Sequence, residues 1–193
     1  MRHLKCTLGI LLLSSIPIFG LFAQETGVPA AATAQEQQYQ SGQQISVDSL
    51  LKVARIIVES ATCQALITVD EAGKPHAREM APFAPEEDWV IWMGTTRDSR
   101  KTKQIMGNPN VVVFYYDTAG RSYVSVSGKA RLVSDPDKKS KYWVDAWSAF
   151  YKDVDKDYIL IEVTPENLEI CSFKYNILWD SKGDSKLVDL FKE

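Results

Sequence analysis

Four cations crowd a seven-residue window, Arg97 to Lys103 (RDSRKTK), against Asp98 alone, a local charge of +3. The punctuation around the window is that of a short helix. Asp98 or Ser99 can cap its first turn, and Gly107-Asn108-Pro109 stops its last. A helix N-terminus carries a partial positive charge and unpaired N–H groups, and so favours acids. Arg100, Lys101 and Lys103 have the wrong sign for that position unless an anion from outside the chain cancels them. The preceding run delivers Gly94 and Thr95 to the helix start, Ser99 adds a hydroxyl, and Arg78 on a neighbouring strand can reach the same spot. Hydroxyls, free amides and cationic donors together are what a phosphate takes. A solvated basic helix face would show the same letters, and charge counting alone does not separate the two.

Other reactive side chains are sparse. Beyond the N-terminal segment one histidine remains, His76, next to Pro75 at a hairpin edge, where it reads as exposed and idle. Cys63 and Cys171 each lie in an apolar, strand-like run and read as two buried free thiols rather than a pair. No Cys or His cluster has metal-ligand spacing, and a Ser-His-Asp hydrolase is equally hard to build. Trp143 and Trp147, four residues apart, read as core packing rather than as a lid over a ligand.

The chain opens with Arg2 and Lys5, followed by Leu8 to Ala23, an almost wholly apolar run of 16 residues. That is short for a membrane span, which needs about 20 apolar residues. A secretory signal over residues 1–23 is the expectation, and with it a periplasmic or secreted protein. Residues 24–44, rich in Ala and Gln, read as a disordered tether, leaving one domain over residues 45–193. Without Arg2 and Lys5 the chain holds 20 basic and 25 acidic residues, a net charge of −5, which argues against a general nucleic-acid binder. The basic cluster is then a local feature, more like a pocket for one anion than a track.

The elements that must position these residues follow from periodicity. Val47 to Glu59 has a helical apolar period, with Ser46 or Asp48 able to cap it. Cys63–Val69 and His76–Phe83 read as a hairpin across Asp70–Pro75, and Trp89–Gly94 as a third strand leading into the basic helix. Asn110–Tyr116, apolar on both faces, reads as a central strand. Ser122–Val133 is a fifth, with a bend or bulge at Gly128. Ser134-Asp135-Pro136 starts a helix towards Tyr151. Tyr158–Val163 and Asn167–Phe173 read as the last strands, hinged at Thr164-Pro165, and Tyr175–Glu193 as a short amphipathic helix. Mostly antiparallel strands with one helix between the third and fourth suggest a small barrel.

The run WMGTTRDSRKTKQIMGNPNVVVFYY, with HAREM before it and VSVSGKARLV after it, resembles the FMN-binding split barrel of the pyridoxamine 5′-phosphate oxidase family, and looks closest to its general-stress-protein subgroup. The resemblance spans roughly Ala61 to Ile170. It implies a mostly β fold with α, a six- to seven-stranded antiparallel split β-barrel with flanking helices. It also implies FMN as cofactor and a homodimer with the flavin between subunits. In that family the second-strand arginine and the Ser-Arg-Lys of the helix start hold the flavin phosphate, which falls here on Arg78, Ser99, Arg100 and Lys101. The end of the third strand holds the ring and ribityl chain, which falls on Gly94 and Thr95. The true oxidases carry a lysine after the second-strand arginine and a C-terminal arginine and histidine. Here Arg78-Glu79-Met80-Ala81 lacks the first, no arginine or histidine follows Phe173, and Tyr123 stands where they use a glutamine. Vitamin B6 oxidation is therefore not expected. The resemblance implies an FMN-dependent oxidoreductase of unknown substrate with no catalytic side chain assigned. The alternatives are a non-catalytic flavin- or haem-binding protein, with His76 as the axial candidate, and an interaction module with a solvated basic helix.

Overall fold

In a computed structural model the described residues are 45–190 except 82 and 181; the expected signal and tether (residues 1–44) lie outside them. Ser46 accepts a hydrogen bond from Ser49 N (3.3 Å) and starts α1, Val47–Ser60, whose Leu50, Ala54, Ile57 and Val58 face the core. Cys63–Val69 (β1) and Pro75–Glu79 (β2) form the expected hairpin, although β2 ends at Glu79 and not at Phe83, which packs instead in an aromatic cluster. Asp70 Oδ1 accepts from the amides of Ala72 and Lys74, and Gly73 takes the positive φ (79°) that closes the turn. Ile91–Thr96 (β3) leads into α2, Arg100–Gly107, and then Asn110–Asp117 (β4) and Ser122–Val133 (β5) pair directly. The remaining elements are α3 (Pro136–Lys141), a 3₁₀ turn (Asp145–Ala149), α4 (Val154–Asp157), β6 (Tyr158–Ser172) and β7 (Lys186–Asp189).

All pairings are antiparallel, in the order β2-β1-β4-β5-β6-β3. β6 is long enough to carry β3 along its first half and β7 along its second. The chain therefore has the split-barrel architecture that its sequence implied, with β2 and β3 as the two ends of the strand order. Inside it lie Leu66, Val113, Val126, Ile161, Leu168 and Ile170, all fully buried, each contributing about 1.5–3 kcal/mol through its burial. A second, largely aromatic cluster on the other face of β3 and β6 is built on Trp92, Tyr142, Tyr158 and Leu160, with Phe83, Trp143, Trp147 and Tyr151 against it.

Three expectations are corrected. Thr164-Pro165 is not a hinge between two strands: β6 runs through it as one strand of 15 residues. The register passes from Ser127↔Asn167 to Gly128↔Pro165, so Glu166 is the extra residue of a bulge, where a proline lacking N–H does no damage to the ladder. A Cβ on Gly128 would lie 2.2 Å from Thr164 O, which is why only glycine fits opposite. The segment after β5 is not one helix to Tyr151. Asp135 caps α3 by accepting from Lys138 N (2.9 Å), but Tyr158 Oη donates to Tyr142 O (2.8 Å) and takes the acceptor that a continuing helix would use, so the chain breaks there. The tail is not a helix among the described residues. Gly183 (φ 88°) turns it, and β7 pairs with β6, with Val188 buried and Leu187 exposed in strand alternation. The two cysteines are free, as expected, but only Cys171 is buried; Cys63 is half-buried. They lie in one row, Cys63–Tyr116–Tyr123–Cys171, three strand spacings or roughly 14 Å apart, where a disulfide reaches at most about 7 Å between Cα atoms.

Candidate functional site

The first and last strands of the order, β2 and β3, are joined by side chains of α2. Arg78 comes off β2 opposite Leu66 of β1 and so shares its inward face. Its Nη1 donates to Leu66 O (3.1 Å) and Thr68 Oγ1 (2.7 Å), and its Nη2 donates to Gln104 Oε1 (3.0 Å). Thr68 Oγ1 donates in turn to the same Gln104 oxygen (2.6 Å). One turn earlier on that helix face, Lys101 Nζ donates to Thr95 Oγ1 (2.9 Å) on β3. Thr68 and Thr95 are buried, so these hydroxyls are fixed reference points rather than solvated ends.

The helix start carries the anion chemistry. Ser99 is the N-cap and accepts from Thr102 N (3.4 Å), while Thr102 Oγ1 is within donating reach of Arg97 O (2.7 Å) and Ser99 O (2.6 Å). Among the described residues the amides of Arg100 and Lys101 have no acceptor, and no acid stands in the first turn. Nor does any carboxylate among them pair with Arg78, Arg100 or Lys101. Burial, then the charge of Arg100, depresses the pKa of Arg78; burial, then Arg78, depresses that of Lys101. Two half-buried cations, Arg78 and Lys101, thus stand beside the exposed Arg100, a cluster of like charge that a multiply charged anion would relieve. Two open amides and a rigid fork of donors match a phosphate.

Of the six residues predicted, Arg78, Thr95, Ser99, Arg100 and Lys101 are brought together. Gly94 is not. It shares the outward face of β3 with Trp92, and a Cβ there would sit 2.6 Å from both Trp147 and Tyr158. Arg97, counted with the cluster in the sequence, turns away to the β5–β6 connection, where its Nε donates to Lys156 O (2.8 Å). His76 is half-buried rather than exposed, and its Nε2 lies 2.8 Å from Asp70 Oδ2. Tyr123 lies on the outer sheet face, with its hydroxyl against Ser185 Oγ (2.9 Å) and Glu169 (3.4 Å), and burial raises its pKa. Thr68 and Gln104, which hold Arg78 in place, were missed. The spacing of Gln104, three residues from Lys101, was the one available signal.

Antiparallel strands in this order, with a short helix between β3 and β4 whose first turn is cationic, define a split barrel. The chain belongs to the pyridoxamine 5′-phosphate oxidase-like family, whose model matches residues 48–192. It is 33% identical over 110 residues to general stress protein 26 of Bacillus subtilis (strain 168), covering 54% of this chain and 76% of that protein. The crystal structure of general stress protein 26 from Bacillus anthracis str. Sterne superposes with a TM-score of 0.57 at 26% identity, covering 72% of this chain and 98% of that one. A pyridoxamine 5′-phosphate oxidase-related, FMN-binding protein from Nostoc punctiforme PCC 73102 shares the fold (TM-score 0.55, 14% identity, 76% of this chain and 97% of that one).

Proposed function

We propose that this protein binds FMN and serves as a flavin-dependent oxidoreductase acting on a small molecule, outside the cytoplasm and as a homodimer. The observation that carries the reading is the trio Arg78, Arg100 and Lys101, of which Arg78 and Lys101 are half-buried, without a carboxylate partner among the described residues. In this reading Arg78 and Lys101 clamp the phosphate from two sides. The free amides of Arg100 and Lys101 complete the cradle, and Thr68, Gln104 and Thr95 hold the two long side chains in position. Bound there, FMN supplies the redox chemistry that none of the gathered side chains offers. His76, the axial candidate for haem, is tied to Asp70, so flavin fits the observations better.

The outer face of the central strands supports self-association. Val112, Phe114 and Tyr116 of β4 lie beside Tyr123 of β5, with Phe114 stacked on Tyr116 and Tyr116 39% exposed. Export rests on the basic-then-apolar N-terminus, and intact mass of envelope protein reads it directly. For the cofactor, titration of purified protein followed by flavin absorbance should show FMN binding at least about 10-fold tighter than riboflavin, which lacks the phosphate. Equal affinities would remove the phosphate from the cradle.

A further inference from the structure

A second cationic site lies at the other end of the β3–α2 turn. Arg97 precedes the helix cap, and its guanidinium reaches across to the connection between β5 and β6. Nε donates to Lys156 O (2.8 Å), Nη2 to Asp155 O (3.4 Å) and Nη1 to Ser134 Oγ (3.3 Å). Beside it stands Lys139 of α3, only 7% exposed, with its ammonium donating to Val154 O (2.8 Å) and Asp155 O (3.3 Å). Asp155 Oδ1 is 3.9 Å from Lys139 Nζ, beyond hydrogen-bond reach, and its side chain is 99% exposed. These cations line a pocket of about 490 Å³ together with the hydroxyls of Ser134 and Ser140 and the indole of Trp143.

Two cations are more than this connection needs. The carbonyls of residues 154–156 accept from these two cations, but a carbonyl is neutral and a neutral N–H donor would serve it as well. The guanidinium has five N–H donors, of which three are used, and the ammonium has a third N–H with no acceptor within hydrogen-bond distance among the described residues. Asp155 also lines the pocket, so Arg97 and Lys139 against that one hydrated carboxylate leave it a net positive charge. The volume falls in the usual range for small-molecule pockets, roughly 300–1,000 Å³, and Trp143 offers a flat apolar wall.

We propose that this pocket binds a small organic acid with a flat apolar body, its acid group taken by Arg97 and Lys139 and its body packed on Trp143. The site is separate from the phosphate cradle and does not depend on FMN. Calorimetric titration of the purified full chain with 2-naphthoate and with its neutral twin, 2-naphthamide, tests the assignment. Naphthoate should bind at least about 10-fold tighter. Ser140→Trp, an exposed-position change that fills the pocket, should abolish naphthoate binding while circular dichroism stays that of the parent. Lys101→Ala should leave naphthoate binding intact. Equal affinity for acid and amide, no saturable binding at millimolar ligand, binding that survives Ser140→Trp, or loss of binding in Lys101→Ala would each overturn the proposal. The last would place the acid in the phosphate cradle instead.

Discussion

Two short helices in this protein obey opposite rules. α3 opens with Asp135 as its cap, Pro136 and Asp137 in its first turn, and carries Lys138, Lys139 and Lys141 towards its end. Each charge complements the helix dipole. α2 opens with Arg100 and Lys101, has no acid in its first turn and no base in its last. Both helices are capped by a side-chain oxygen, Asp135 in one and Ser99 in the other, so hydrogen bonding at the cap does not distinguish them. Sign does. A helix whose charges already match its dipole, as in α3, asks for no anion at its N-terminus. A first turn left positive, with Lys101 half-buried and facing a third cation on another strand, is what supports the proposed anion site.

The largest effect should come from Arg78→Met. It removes one phosphate cation and leaves Thr68 and Gln104 bonded only to each other, so FMN affinity should fall by about 100-fold. The apo chain should also lose about 1–2 kcal/mol, read by denaturant titration. Lys101→Ala should weaken FMN by about 10-fold and leave riboflavin unchanged; with α2's uncompensated charge reduced, the apo chain should be as stable as the parent or slightly more so. A Lys101→Ala protein that loses riboflavin as strongly as FMN would erase the contrast between the helices.

Asp135→Ala, at the conforming helix, should cost about 1 kcal/mol of stability through the lost cap while FMN affinity stays that of the parent. The pH response is smaller still. The pKa of Lys101 in the apo protein is depressed below its ordinary 10.5, by burial and then by Arg78. Its charged form is therefore disfavoured by folding, a penalty present at neutral pH and relieved as pH rises from the depressed value to 10.5. A bound phosphate favours the charged form, so FMN affinity should decline through that alkaline window while riboflavin affinity follows only its own ring chemistry. Parallel curves for the two flavins would show that Lys101 does not face the phosphate.

Much of this was legible. β1 stands where its alternation put it, Cys63–Val69, because one face is buried and a slip would expose it. The glycine at 128 marked the bulge because a backbone oxygen occupies the place of its missing side chain. The cations of α2 were visible because charge at the wrong end of a helix is conspicuous in one dimension. What escaped depended on contacts distant in sequence. Leu187, Val188 and Leu190 fit a helix as well as a strand, and only the unpaired second half of β6 decides between them. The break after α3 comes from Tyr158, sixteen residues away, taking one carbonyl. Gly94 was grouped with Thr95 because the resemblance assigns the whole end of the third strand, yet adjacent residues of a strand point to opposite faces. Thr68 and Gln104 are neutral, so nothing in their charge announced them.

The barrel is closed between β2 and β3 by side chains of α2 and not by a ladder of backbone bonds. A seam of that kind can part by local opening, at far less cost than separating β4 from β5, which requires unfolding the core. An anion gripped by Arg78 on one edge and by Lys101, which leans on Thr95, on the other works as a rivet across the seam. Its binding free energy is then felt as slowed amide hydrogen exchange along residues 77–79 and 94–96 together, two stretches at opposite ends of the strand order that begin to move as one unit.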